Sequence, residues 1–195
     1  MSTAALAVAG VLLCGYLLGS ISAAIVACRA LGRADPHSSG SRNPGATNVL
    51  RVAGRDAALL TLVGDMLKGI VAVVVARALG MDPLVWALAG AGAFIGHIYP
   101  VFFAFRGGKG VATALGALLA ATPVAGVLTA ATWLVVFGVT RVSALGALSA
   151  FALAPVFVAV LTGAPARVGV TLAVAALLFW RHRSNIRALM AGKAG

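Results

Sequence analysis

The chain has 195 residues, 62% of them hydrophobic and only 10% charged, with a mean hydropathy of +1.06 and a formal net charge of +11. A soluble domain is nearer a quarter charged, and apolar runs of about 20 residues recur along the whole length, so the sequence reads as one integral membrane domain over residues 1–195. The sequence pI of about 11.5 suits nucleic-acid binding, but no continuous basic face or basic domain stands clear of the lipid, and that class is excluded.

The first apolar segment is predicted over about 3–28, with no basic n-region and no cleavage site, as a retained helix and not a signal peptide. Its second half carries the small residues Gly15, Gly19, Ser20 and Ser22, which permit close helix approach in lipid. Cys14 and Cys28 would lie about 21 Å apart on one helix, too far to bridge each other. A long polar loop follows, containing Ser38-Ser39-Gly40-Ser41-Arg42-Asn43-Pro44-Gly45-Ala46-Thr47-Asn48-Val49-Leu50-Arg51. Ser41, Asn43, Thr47, Asn48 and Arg51 are donors suited to an oxyanion, and Gly40 and Gly45 let backbone N–H groups turn toward a ligand. The plain alternative is a solvated loop rich in turn formers.

Segment two, about 56–79, holds Asp65 and Lys68. Three residues apart, they share a helix face and can pair. Ionisable groups inside a span face a bundle interior or a polar cavity, so the pair either pins helices or shapes a site. Segment three, about 84–105, contains His97, read as a hydrogen-bonded packing residue, though it lies near the cytoplasmic end. It runs into Arg106-Gly107-Gly108-Lys109-Gly110, three glycines around a lysine at the start of a helix, as in a phosphate cradle. Gly follows the Lys where a P-loop needs Ser or Thr, which argues against a nucleotide triphosphatase.

Segments four to seven are expected over about 111–122, 123–139, 144–162 and 166–180, ending at Arg181-His182-Arg183-Ser184-Asn185-Ile186-Arg187. Twelve of the fifteen Lys and Arg fall within 29–55, 106–109, position 141 and the tail from Arg181. With seven crossings, all four regions lie on the cytoplasmic side. The expected fold is therefore all-α: a seven-transmembrane-helix bundle with polar loops at the cytoplasmic face.

The residue inventory narrows the chemistry. There are four acidic residues, Asp35, Asp56, Asp65 and Asp82, and no Glu. No two form a carboxylate pair in sequence, and no His/Cys/Asp grouping has metal-ligand spacing, so neither a metal nor another cofactor is expected. In a common acyltransferase arrangement an Asp stands five residues after the catalytic His, but here His37, His97 and His182 are followed at that distance by Arg42, Phe102 and Arg187. No Ser or Cys nucleophile has an evident His–acid relay. A site of Lys, Arg, Asn, Ser, Thr and backbone N–H groups orients anionic reactants and stabilises oxyanion charge, and it needs a substrate with a good leaving group.

These motifs resemble those of the bacterial acyl-phosphate:glycerol-3-phosphate acyltransferases, the PlsY family. The resemblance rests on GSRNPGATNVLR (40–51), GDMLKG (64–69), GHIYPVFFAFRGGKGVAT (96–113), TRVS (140–143) and RHRSNI (181–186). It implies transfer of an acyl chain from acyl phosphate to the 1-hydroxyl of glycerol 3-phosphate, giving lysophosphatidic acid and phosphate, the first acylation of phospholipid synthesis. It also implies a multi-pass protein of the bacterial cytoplasmic membrane, a site at the cytoplasmic face, and cooperation with the soluble enzyme that makes acyl phosphate.

By the same resemblance Ser41, Arg51, Lys109, Ser143, His182 and Asn185 carry the reaction. Gly40, Asn43, Gly45, Thr47, Asn48, Gly107, Gly108 and Gly110 bind phosphate or position the acceptor. His182 and Asn185, three apart on one face of a terminal helix, are expected to orient the reacting groups. The chain departs from the pattern at Arg42, where many members have Gly, at His37 (Arg), Ser22 (Pro), Gly146 (Ser) and Ala188 (a basic residue). Two alternatives stay open: an acyltransferase using acyl-CoA or an acyl-carrier-protein thioester, and a small-anion transporter.

Overall fold

The computed structural model describes residues 3–193. Among these there are ten α-helices and no strand. The backbone divides into two compact units, residues 1–121 and residues 122–195, described in turn.

The first unit holds α1 (Thr3–Gly19), α2 (Ala23–Ala30), α3 (Ala46–Ala53), α4 (Arg55–Ala78), α5 (Pro83–Ile98) and α6 (Val111–Ala121). The small-residue patch of the first segment works as its composition suggests. A methyl on Gly15 would stand 2.6 Å from the Ala89 carbonyl oxygen, and one on Gly19 would overlap that of Ala93. On the facing helix, a methyl on Gly96 would overlap the Tyr16 carbonyl. Helices α1 and α5 therefore pack backbone to backbone.

The first segment is not one helix, however. It breaks at Ser20–Ser22 and bends by 40° between α1 and α2. Ser22 caps α2, its Oγ accepting from Ile25 N at 3.4 Å, as short hydroxyl side chains do at helix starts. The carbonyl of Ile21, freed by the break, accepts from Lys68 Nζ on α4 at 3.1 Å. Irregular backbone among apolar helices persists where a neighbour satisfies it in this way.

The polar stretch after α2 is also only partly a loop. Residues 46–53 form α3, with Gly45 as its N-cap and Gly54, at φ +92°, as its C-cap. Asn48, Val49 and Ala53 face the interior, while Thr47, Leu50 and Arg51 are exposed. The last apolar helix of this unit, α6, is held against α4: methyls on Gly69 and Gly116 would overlap the carbonyls of Thr113 and Met66.

The second unit holds α7 (Pro123–Thr140), α8 (Ser143–Thr162), α9 (Pro165–Arg181) and α10 (Arg183–Met190). Prolines at the first turn of α7 and α9 begin each helix where no intrahelical N–H is needed. Gly163, at φ +58°, ends α8 in the left-handed conformation that suits glycine. Helices α8 and α9 follow each other across a two-residue turn and pack together. The start of α8 and the end of α9 therefore lie at one end of this pair.

Four helices, α4, α5 with its 3₁₀ extension, α7 and α8, are long and apolar enough to cross a membrane, and a fifth span results if α1 and α2 count as one. Helix α6 has 11 residues, about 16 Å at the helical rise, shorter than a hydrocarbon core.

Candidate active site

In the first unit, two of the three donor clusters come together. Between α2 and α3 the loop is pinned by Asn48. This buried amide donates from Nδ2 to the carbonyls of Pro36 (3.0 Å) and Ser39 (3.3 Å) and accepts on Oδ1 from the Ser41 N–H (2.8 Å). Gly40 has φ +62° and packs its Cα on that same amide oxygen, so a side chain there would be both strained and crowded. Asn48 thus spends its hydrogen-bonding capacity on shaping the loop around Ser41. The Asn43 amide lies over Gly45, where a methyl would stand 2.7 Å from Nδ2. Thr47 and Arg51, four residues apart, project from the exposed side of α3.

The glycine-rich turn is built as tightly. Pro100 opens a 3₁₀ turn over Val101–Phe103, and Ala104 and Phe105 follow with φ of +50° and +59°. The chain then turns back so that the Gly108 N–H donates to the His97 carbonyl at 3.1 Å. A methyl on Gly107 would overlap that carbonyl, and one on Gly108 would overlap the His97 ring. Gly110, at φ +82°, packs on the Phe94 ring and accepts the first bond of α6, from the Ala114 N–H at 2.8 Å. Lys109 is half-buried between these glycines at the positive end of α6.

His37 joins the two clusters. Its Nε2 lies 3.1 Å from the Arg106 carbonyl, and its Nδ1 lies 3.0 Å from Asp35 Oδ1. Both ring nitrogens face acceptor oxygens. Beside this junction is a small recess lined by Pro44 of the first cluster, Gly107 and Gly108 of the second, and Lys68 and His97 beneath them.

The sequence reading missed one contact here. His97 is not a lone packing residue: its Nδ1 lies 3.3 Å from Asp65 Oδ1, which also holds Lys68 Nζ at 2.9 Å. The helical spacing of Asp65 and Lys68 foretold their pairing, but nothing in the sequence joined them to a histidine 32 positions away. Crowding at Gly108 gives a direct prediction. Gly108→Ala must displace the His97 ring or the turn, and overpacking of this kind costs about 1–3 kcal/mol. In an acceptor-saturation assay it should lower kcat/KM at least about tenfold, chiefly by raising KM.

In the second unit, Ser143 is the first residue of α8, after Arg141 in the left-handed conformation at φ +58°. Gly146 lies against Trp133, with the indole Cδ1 3.1 Å from where a Cβ would be. A side chain at this position would make a tight contact with the indole. His182 does not sit within one terminal helix with Asn185. It caps the C-terminus of α9 and precedes α10, which carries Asn185. The ring is buried, with Nδ1 2.8 Å from the Leu178 carbonyl. A carbonyl can only accept, so Nδ1 carries the proton and, in the neutral ring, Nε2 is the nitrogen that accepts. Ser143 and His182 lie at the shared end of α8 and α9.

Comparison with known proteins accords with these motifs. A family model described as "Glycerol-3-phosphate acyltransferase" matches residues 9–192. The glycerol-3-phosphate acyltransferase of Thioalkalivibrio sulfidiphilus is 52% identical over 91% of this chain and 88% of its own length, and that of Halorhodospira halophila is 51% identical over 92% and 91%. The crystal structure of PlsY (YgiH), an integral membrane glycerol 3-phosphate acyltransferase, is similar in its glycerol 3-phosphate form, with a TM-score of 0.91 at 35% identity over 97% of this chain and 94% of that one. Its lysophosphatidic acid form gives a TM-score of 0.89 over the same shares. Matched over residues 9–192 by the family model and over 97% of its length by fold, the chain belongs to the glycerol-3-phosphate acyltransferase family of integral membrane proteins.

Proposed function

We propose that this protein transfers a fatty acyl group from acyl phosphate to the 1-hydroxyl of glycerol 3-phosphate, releasing lysophosphatidic acid and inorganic phosphate. The observation that carries the reading is the likeness to the glycerol 3-phosphate form of PlsY over 97% of the chain, combined with a glycine turn whose backbone leaves no room for side chains at Gly107 and Gly108.

The acceptor oxygen attacks the acyl carbon, the bond from that carbon to the phosphate oxygen breaks, and the hydroxyl proton passes to a phosphate oxygen. Such a step needs no metal and no carboxylate base, because the mixed anhydride is already activated. Ser41, Asn43, Thr47 and Arg51 hold the acceptor, with Asn48, Gly40 and Gly45 shaping the loop that presents them. Lys109 and the amides of Gly107, Gly108 and Gly110 hold phosphate, stabilising charge as it moves onto the leaving group. Ser143 serves the acyl-phosphate side, and His182 and Asn185 orient the reacting groups.

The same reading places seven crossings in the bacterial cytoplasmic membrane, with the site on the cytoplasmic side, where a soluble enzyme supplies acyl phosphate. The short α6 and the bent α1–α2 pair then count as spans. The placement of twelve of fifteen cations supports this topology.

The test is incorporation of labelled glycerol 3-phosphate by the purified protein in detergent, offered palmitoyl phosphate, palmitoyl-CoA or palmitoyl–acyl carrier protein. Lysophosphatidic acid should form from palmitoyl phosphate alone. Formation from either thioester instead would overturn the donor. Uptake of glycerol 3-phosphate into proteoliposomes without any acylated product would mark a transporter.

A further inference from the structure

Beneath the glycine-rich turn is a buried polar trio that the proposed reaction leaves unused. Asp65 and Lys68 come from α4 and His97 from the last turn of α5, and all three are less than a tenth exposed. One carboxylate oxygen, Asp65 Oδ1, meets both Lys68 Nζ (2.9 Å) and His97 Nδ1 (3.3 Å). Lys68 also donates to the Ile21 carbonyl at the α1–α2 break.

Buried charges of this kind are costly, and an apolar filling would pack the same helices. The placement of His97 gives the trio a second consequence. Its carbonyl accepts the Gly108 N–H at 3.1 Å, and its ring presses on the Gly108 Cα so closely that a methyl there would overlap Nε2. The turn therefore rests on His97 at two points, through backbone and ring. The ring in turn faces Asp65, whose Oδ1 lies 3.3 Å from Nδ1 in ion-pair contact.

We propose that Asp65, Lys68 and His97 are positioning residues: Asp65, steadied by Lys68, orients His97, and His97 holds the Gly107–Gly108–Lys109 turn in its phosphate-binding shape. The proposal rests on the acyltransferase reading for its kinetic consequence, but not for its structural one.

Asparagine and glutamine at position 97 separate this role from simple packing. The amide nitrogen of Asn falls near Nδ1 and keeps the contact with Asp65, whereas that of Gln falls near Nε2 and loses it. Steady-state kinetics with palmitoyl phosphate as donor should give His97→Gln and His97→Leu a KM for glycerol 3-phosphate raised at least about tenfold, with kcat within about threefold. His97→Asn, which keeps the contact with Asp65 and loses the ring edge against Gly108, should raise the KM less than His97→Leu does. In the His97→Gln background, Asp65→Asn should add no further rise, because the contact it would weaken is already gone.

Amide hydrogen exchange over residues 106–110 is the second readout and needs no turnover. Exchange should be at least about tenfold faster in His97→Gln and Asp65→Asn, and accelerated less in His97→Asn than in His97→Leu. Wild-type KM and exchange in His97→Gln would reduce the trio to a helix pin and overturn the proposal. A loss confined to kcat would overturn it in another way, by placing His97 among the reacting groups. Absence of acylation by the wild-type protein would defeat the acyltransferase reading, and the exchange comparison would still decide whether the trio holds the turn.

Discussion

His182→Ala should abolish turnover, by at least about 100-fold in kcat, while the protein stays folded in detergent. The ring is buried and tied through Nδ1–H to the Leu178 carbonyl. Its orientation is thus set before any substrate arrives, and in the neutral ring Nε2 is the nitrogen that accepts a hydrogen bond. The backbone around it needs no ring: the His182 N–H donates to the Leu178 and Phe179 carbonyls at 3.0 Å, and its carbonyl accepts from the Ile186 N–H at 2.9 Å. Truncation therefore removes a positioned nitrogen and leaves the α9–α10 junction intact. His182→Asn keeps a donor for Leu178 and still lacks an atom at Nε2, so it should be as inactive as the alanine variant. Size-exclusion profiles and circular dichroism matching the wild type, beside single-turnover rates, check both halves of the prediction. Unchanged turnover in either variant would remove His182 from the reaction.

Lys68→Ala should be the most destabilising single change in the first unit. It strips the buried Asp65 carboxylate of its closest counter-charge, at 2.9 Å, and leaves the Ile21 carbonyl at the helix break without its lysine donor. Breaking a buried pair from one side typically costs about 3–5 kcal/mol, because the surviving charge stays in a low-dielectric site. The thermal midpoint in detergent should fall by many degrees. Exchanging both partners for apolar residues, Asp65→Leu with Lys68→Met, should recover much of the lost stability. It should still raise the KM for glycerol 3-phosphate, since His97 would have lost the carboxylate that orients it. A Lys68→Ala protein as stable as wild type would contradict the burial argument.

Much of this architecture can be read from one-dimensional patterns. Apolar length and the placement of cations mark a membrane protein. Gly15 and Gly19 announce the close packing of α1 on α5, and the i,i+3 spacing of Asp65 and Lys68 announces their ion pair. The glycines at 107, 108 and 110 signal a turn pressed against its surroundings. Each of these is a local property of the chain.

What escapes the sequence depends on contacts between distant segments. The first apolar run looks continuous because Ser20 and Ser22 are tolerated in helices. The break persists because Lys68, 47 residues away from Ile21, takes up the freed carbonyl. Helix α3 is hidden among donors: with Thr47, Asn48 and Arg51 in eight residues, its buried side amounts to Asn48, Val49 and Ala53. A pattern so short and polar resembles a loop. Asn48 looks like a ligand group until the carbonyls of Pro36 and Ser39 are seen to occupy it. His97 looks solitary because its partner lies on another helix. Gly146 looks like a lost donor until Trp133 is found against it.

The most direct measurement is phosphate release by the purified protein from palmitoyl phosphate, with and without glycerol 3-phosphate, with lysophosphatidic acid measured in the same samples. Acyl transfer from acyl phosphate requires release that depends on the acceptor, with one lysophosphatidic acid formed for each phosphate. Release that ignores glycerol 3-phosphate, or none in the presence of both substrates, would contradict it.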